Sequence, residues 1–228
     1  MPKVQGFGMP PGKEDTMWWI AGVCAICLLL CLPFFLHYKK SLRYKLAAAF
    51  KVCGTLCAAS FALIAAIRLD PRCWICFAAL ILHATADYFL EFSLYIGAGF
   101  FLAGHICYIA FFTSIYPPTA VHLICAVCLL AIMGYMFFFR WRKQIGKQLP
   151  LFAVYGAVLS LMCACAIASL TGHTLQGQLI AIGGALFFLS DTMICCRLLF
   201  TAGRSVDWAI MITYYAAQLL FGISCLLI

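Results

Sequence analysis

The stretch TAVHLICAVCLLAIMGYMFFF, residues 119–139, contains no Asp, Glu, Lys or Arg, and RWRKQIGKQLP follows it at once over residues 140–150. As a helix rising about 1.5 Å per residue, 21 residues cover the roughly 30 Å of hydrocarbon in a bilayer. Lipid offers backbone amides no hydrogen-bonding partner, so a segment of this kind must satisfy them internally and be helical. Seven further blocks share its length and apolar character, and Pro, Gly and charged residues separate them. The predicted spans are 17–37, 44–67, 72–91, 93–113, 119–139, 150–171, 177–200 and 207–228. Pro71, Pro118 and Pro150 fall near helix starts, where a missing N–H costs nothing. The expected fold is all-α: a bundle of eight transmembrane helices with short loops, forming one domain over 17–228 behind a tail at 1–16. The first span reads as a retained helix rather than a cleaved signal, because no small-x-small site ends it and Lys39, Lys40, Arg43 and Lys45 stop transfer.

Composition agrees. Apolar residues make up 66% of the chain and charged residues 10%, against about 45–50% and about 25% in soluble domains. The net charge of +8 would suit a nucleic-acid partner if it were clustered on one surface, but it is sorted by loop. Lys39, Lys40, Arg43, Lys45, Arg140, Arg142, Lys143, Lys147, Arg197 and Arg204 fall at loops 1–2, 3–4, 5–6 and 7–8, and only Lys3, Lys13, Arg68 and Arg72 lie on the other side. The positive-inside rule makes the richer face cytosolic and both termini extracytosolic. Membrane lipids, not nucleic acid, are the expected partners. The oligomeric state stays open, and a bacterial inner membrane and an endoplasmic reticulum membrane fit equally. Most of the 15 cysteines lie inside spans as small apolar residues. Cys73 and Cys76 form a CxxC with no second pair to complete a zinc set, so no metal and no cofactor is expected.

Ionisable groups retained inside a bilayer are candidate functional residues, because each costs a few kcal/mol there. They are Lys51, Asp87, Glu91, His105 and Asp191, with the polar Tyr155 and Gln218 beside them. Counted from the basic end at about 1.5 Å per residue, Lys51, Asp87 and Tyr155 lie at about 10 Å depth, Asp191 at about 13 Å, and His105 and Gln218 at about 16–18 Å. That common layer predicts a cavity open to the cytosolic leaflet. Asp87 and Glu91 share a helical face and are placed to share a proton, while Glu91 is also placed to pair with Arg43. Tyr108 follows His105 by one turn. His37, His83, His122 and His173 read as interface or packing residues.

These residues resemble the YhhN-like family of membrane lysoplasmalogenases. The resemblance rests on Lys51; on Ala86-Asp87-Tyr88-Phe89-Leu90; on His105-Ile106-Cys107-Tyr108; on Tyr155 with Met162; on Gly184-Ala185-Leu186-Phe187-Phe188-Leu189-Ser190-Asp191; and on Tyr214-Tyr215-Ala216-Ala217-Gln218. Ala86 replaces a usual Gly, and Arg197 stands where Asn is common. The resemblance implies hydrolysis of the vinyl ether of an alkenyl lysophospholipid to a fatty aldehyde and glycerophosphoethanolamine or glycerophosphocholine. It further implies Asp87 and Asp191 as an acid and base pair, oriented by Ser190, His105, Tyr108, Tyr155 and Gln218, with Lys51 and Arg197 on the lipid phosphate. Tyr214 belongs to the last motif. A transporter, a lipid-binding protein without turnover and a metal-dependent hydrolase using His105 are the competing readings. An intramembrane aspartyl protease wants Gly-x-Gly-Asp, which Ala84-Thr85-Ala86-Asp87 does not supply.

Overall fold

The computed structural model describes residues 19–20, 22–24, 26–201 and 203–228. The tail at 1–16 and the start of the first predicted span, Met17, lie outside them. Eight helices are long and apolar enough to cross a membrane: α1 Gly22–Lys40, α2 Tyr44–Arg68, α3 Cys73–Leu90, α4 Leu94–Ile115, α5 Ala120–Arg140, α6 Arg142–Gly172, α7 Leu175–Leu199 and α8 Ser205–Leu227. Each predicted span coincides with one helix. The largest departure is at α6, where the turn Arg142–Ile145 and Gly146, at φ +57°, precede the regular helix Leu149–Ala168 with Pro150 in its first turn. At the other end of the molecule, the Thr174 hydroxyl caps α7 by accepting from Gly177 N at 3.0 Å.

Neighbours in sequence pack together except α4 and α5, and two further contacts shape the bundle: α2 packs on α8, and α4 packs on α6. Six helices, α2, α3, α4, α6, α7 and α8, therefore close into a ring, with α1 applied outside against α2 and α5 against α6. Burial follows this division. α8 is 61% buried within the protein, whereas α1 and α5 are 24% and 22% buried and leave the most surface for lipid. Leu29, Leu123 and Phe139, each at least two-thirds exposed, belong to that outer surface.

Helices in lipid gain nothing from hiding one apolar face from another, so close van der Waals approach has to hold them. Small residues permit that approach at two contacts that frame the site. A Cβ on Gly222 of α8 would stand 2.3 Å from the Ala58 carbonyl of α2, and one on Gly104 of α4 would stand 2.1 Å from the His83 ring of α3. The centre of the ring is aromatic, with Phe112, Phe187 and Phe221 fully buried and Phe101 nearly so.

Candidate active site

The two buried carboxylates of the ring interior, Asp87 and Asp191, belong to two separate clusters rather than one. The first joins α2, α3 and α8. Asp87, fully buried, accepts from Thr55 Oγ1 at 2.5 Å and from Tyr214 OH at 2.7 Å, both on Oδ2. Lys51 Nζ lies 3.2 Å from Asp87 Oδ1, close enough for charge pairing but out of line for a hydrogen bond. Phe35 and Tyr214 present their rings to the same ammonium at 5.7 and 5.9 Å. The second cluster joins α4, α6 and α7. Tyr155 OH donates to Asp191 Oδ2 at 2.5 Å, and His105 Nε2 stands 3.3 Å from Tyr155 OH and 3.6 Å from the same carboxylate oxygen.

A hydrogen-bonded chain lies between the clusters. Tyr108 OH donates to Gln218 Oε1 at 2.7 Å, and Gln218 Nε2 donates to His83 Nδ1 at 2.8 Å. The rings of His83 and His105 meet edge to face at 5.0 Å, and Phe187 packs against both and against Tyr214. Phe101 and Phe187 thus form an aromatic wall between the two carboxylates, which corrects the expectation of one undivided pocket. Depth counting gives a residue's height in the bilayer but not the direction in which its helix turns it.

Two cavities flank this wall. The larger, about 310 Å³, opens at the basic end and is lined by Lys39, Lys51, Glu91, Arg197, Asp207 and Tyr214 among others. The smaller, about 80 Å³, is almost wholly apolar, and Asp191 and Tyr155 supply its polar groups. Leu90, Leu94, Phe101, Ile194 and Leu198 line both, so the two chambers adjoin across these side chains. Asp191 lines the smaller, whereas Asp87 meets the larger only through Lys51 and Tyr214. Tyr155 and His105 both engage Asp191 Oδ2, and among the described residues no hydrogen bond is made to Oδ1.

The remaining predicted residues are placed as follows. Glu91 lies just past the end of α3 and pairs with Lys39 at 3.1 Å, neither sharing a proton with Asp87 nor pairing with Arg43. Arg197 pairs with Asp207 at 2.8 Å. Ser190 donates to the Ile210 carbonyl at 3.1 Å, which ties α7 to α8, and Ser190 itself lines neither chamber. Sequence reasoning missed Thr55, Lys39 and Asp207, and took His83 for packing. The His83 signal was present, since it precedes Asp87 by four residues and so shares its helical face. Cys73 and Cys76 donate to the carbonyls of Cys225 and Phe221, each at 3.8 Å. Among the described residues no group of three His, Cys, Asp or Glu side chains is placed to hold a metal ion.

Comparison with known proteins adds one finding. No curated protein and no solved structure matches the chain. The family model described as the YhhN family matches residues 46–225 of the 228, a range that contains both clusters and the chain between them. By that match, and with all the resembling motifs converging on one ring interior, the chain belongs to the YhhN family.

Proposed function

We propose that the protein hydrolyses the vinyl ether bond of alkenyl lysophospholipids, releasing a fatty aldehyde and a glycerophospho-headgroup. The observation that supports this best is a carboxyl group, Asp191, on the wall of an apolar chamber that adjoins a charged one. A lysolipid has the same two-part form. Its phosphate suits the ammonium of Lys51, with Arg197 nearby, and the first carbons of its chain suit the apolar chamber, the remainder running out into lipid. The ether then lies at the seam beside Phe101, within reach of Asp191.

Vinyl ethers break when an acid protonates the β carbon. In this reading Asp191 delivers its proton from Oδ1 to that carbon, leaving an oxocarbenium ion opposite the new carboxylate. Water adds to the cation, its lost proton returns to Asp191, and the hemiacetal collapses to aldehyde and free alcohol. Tyr155 and His105 hold Oδ2 and thereby orient the carboxyl. Asp87 is a positioning residue, which anchors Lys51 and Tyr214 where they enter the charged chamber. The positive-inside rule assigns the basic end, and with it the mouth of the cavity, to the cytosol.

The test is to incubate the purified protein with an alkenyl lysophosphoethanolamine and, separately, with its acyl counterpart, and to assay aldehyde and free fatty acid. Aldehyde from the first and no fatty acid from the second is expected, with aldehyde release abolished in Asp191→Asn. Turnover retained in Asp191→Asn overturns the assignment of the acid, and no aldehyde from the unmodified protein overturns the function.

A further inference from the structure

Four charged side chains close into two ion pairs at the mouth of the larger chamber. Lys39 of α1 meets Glu91 at 3.1 Å, and Arg197 of α7 meets Asp207 of α8 at 2.8 Å. All four line the same chamber as Lys51. The Glu91 side chain is only 4% exposed, so its charge cannot simply turn away to water.

A phosphate by itself calls for cations and gains nothing from carboxylates beside them. Here each rim cation already has a carboxylate. A ligand bearing phosphate alone, drawing Lys39 and Arg197 to itself, would leave Glu91 and Asp207 without partners and facing a negative charge, a penalty felt most at Glu91, whose side chain is 4% exposed against 27% for Asp207. A ligand bearing both a phosphate and an ammonium can exchange with both pairs. Its phosphate takes the cations, its ammonium takes the carboxylates, and no charge is stranded.

We propose that Glu91 and Asp207 form the ammonium subsite of a zwitterionic headgroup, a phosphate ester carrying a primary amine. The phosphate is taken by Lys51 with Lys39 and Arg197. This rests on the reading above only in placing a lysolipid in the chamber, and it does not depend on turnover.

The test uses a lipid that the proposed chemistry cannot cleave. Binding of 1-O-hexadecyl-glycerophosphoethanolamine to the purified protein in nanodiscs is measured by titration calorimetry beside its N-acetyl derivative, which keeps the phosphate and loses the ammonium. The derivative is expected to bind about tenfold more weakly, which corresponds to about 1.4 kcal/mol. In the double variant Glu91→Gln, Asp207→Asn the two lipids should bind within about twofold of each other. Equal or tighter binding of the derivative to the unmodified protein overturns the proposal, and that comparison needs no variant to fold. Discrimination that persists in the double variant also overturns it, because the acetyl group's bulk rather than its missing charge is then responsible. Saturable binding of neither lipid removes the headgroup site as well, while aldehyde release remains a separate measurement of the hydrolase reading.

Discussion

The pairing of Lys51 with Asp87 predicts a particular pattern of stability across four proteins: the unmodified chain, Lys51→Met, Asp87→Asn, and the two combined. Both side chains are nearly inaccessible, at 6% and 0% exposure, so each single change leaves the other group in a poorly solvated interior without its counter-charge. Removing one member of a buried pair typically costs about 3–5 kcal/mol, whereas replacing both is often close to neutral. The structure orders the two single variants. After Lys51→Met, Asp87 retains the Thr55 and Tyr214 hydroxyls but has no contact with the cavity. After Asp87→Asn, Lys51 still lines the chamber, where water reaches it, and still lies over the rings of Phe35 and Tyr214. Lys51→Met should therefore be the more damaging, at about 4 kcal/mol, and Asp87→Asn should cost about 2 kcal/mol. At roughly 2–4 °C per kcal/mol for a chain of this size, Tm falls by about 8–16 °C in the first and about 4–8 °C in the second. The double variant should lie within about 4 °C of the unmodified chain. Thermal unfolding of detergent-purified protein, followed by a thiol-reactive dye or by tryptophan emission, measures all four. If the losses simply add in the double variant, the two groups are not coupled and the reasoning fails.

Three further outcomes follow from the geometry. Tyr155→Phe removes the hydroxyl that orients Asp191 Oδ2, so aldehyde release should slow by about tenfold or more in kcat with KM within about twofold; a pure KM effect would mean that Tyr155 binds lipid instead. Gly104→Ala puts a methyl group into the His83 ring, and overpacking of this kind costs about 1–3 kcal/mol, so Tm should drop while Gly99→Ala, with open space around it, should leave Tm unchanged. In the loop between α2 and α3, the Arg72 guanidinium and backbone N–H bind Asp70 and hold its carboxyl below the ordinary 3.8. A depressed carboxylate contributes stability that is present above its unfolded value and lost as pH falls through its folded one, so the small Tm advantage over Asp70→Asn should be present at pH 6 and fade only as acidification passes below 3.8. An advantage that grew on acidification would contradict that sign.

The eight helices were legible because lipid leaves an apolar 20-residue block one conformation to adopt, and runs such as 119–139 end in charge clusters that mark the interface. Depth was legible for the same reason, and Lys51 and Asp87, predicted at matching depth, do meet. Azimuth was not. The helices are apolar along most of their length, so the pattern fixes a residue's height better than the face its helix turns inward, and the separation of Asp191 from Asp87 by Phe101 and Phe187 could not be read. The rim pairs escaped for a different reason. Lys39 and Asp207 sit at helix ends, where charge is ordinary, and only the packing of α1 against α2 and of α7 against α8 shows that they face one cavity. Thr55 looked like any small residue of α2 until Asp87 was found against it.

Closure of the ring through α2 and α8 has a consequence for biogenesis. Lys51 and Asp87 belong to consecutive helices and can leave the translocon as a hairpin whose opposite charges offset one another, but Tyr214, the second hydroxyl on Asp87, is synthesised 127 residues later. At translation speeds of roughly 5–20 residues per second that interval is on the order of ten seconds. Throughout it the nascent chain holds a carboxylate in the bilayer with Lys51 and Thr55 as its nearest companions. The ion pair thus offsets the cost of insertion before the ring can close, and a ribosome stalled ahead of α8 would leave an open crescent of helices for membrane quality control to recognise.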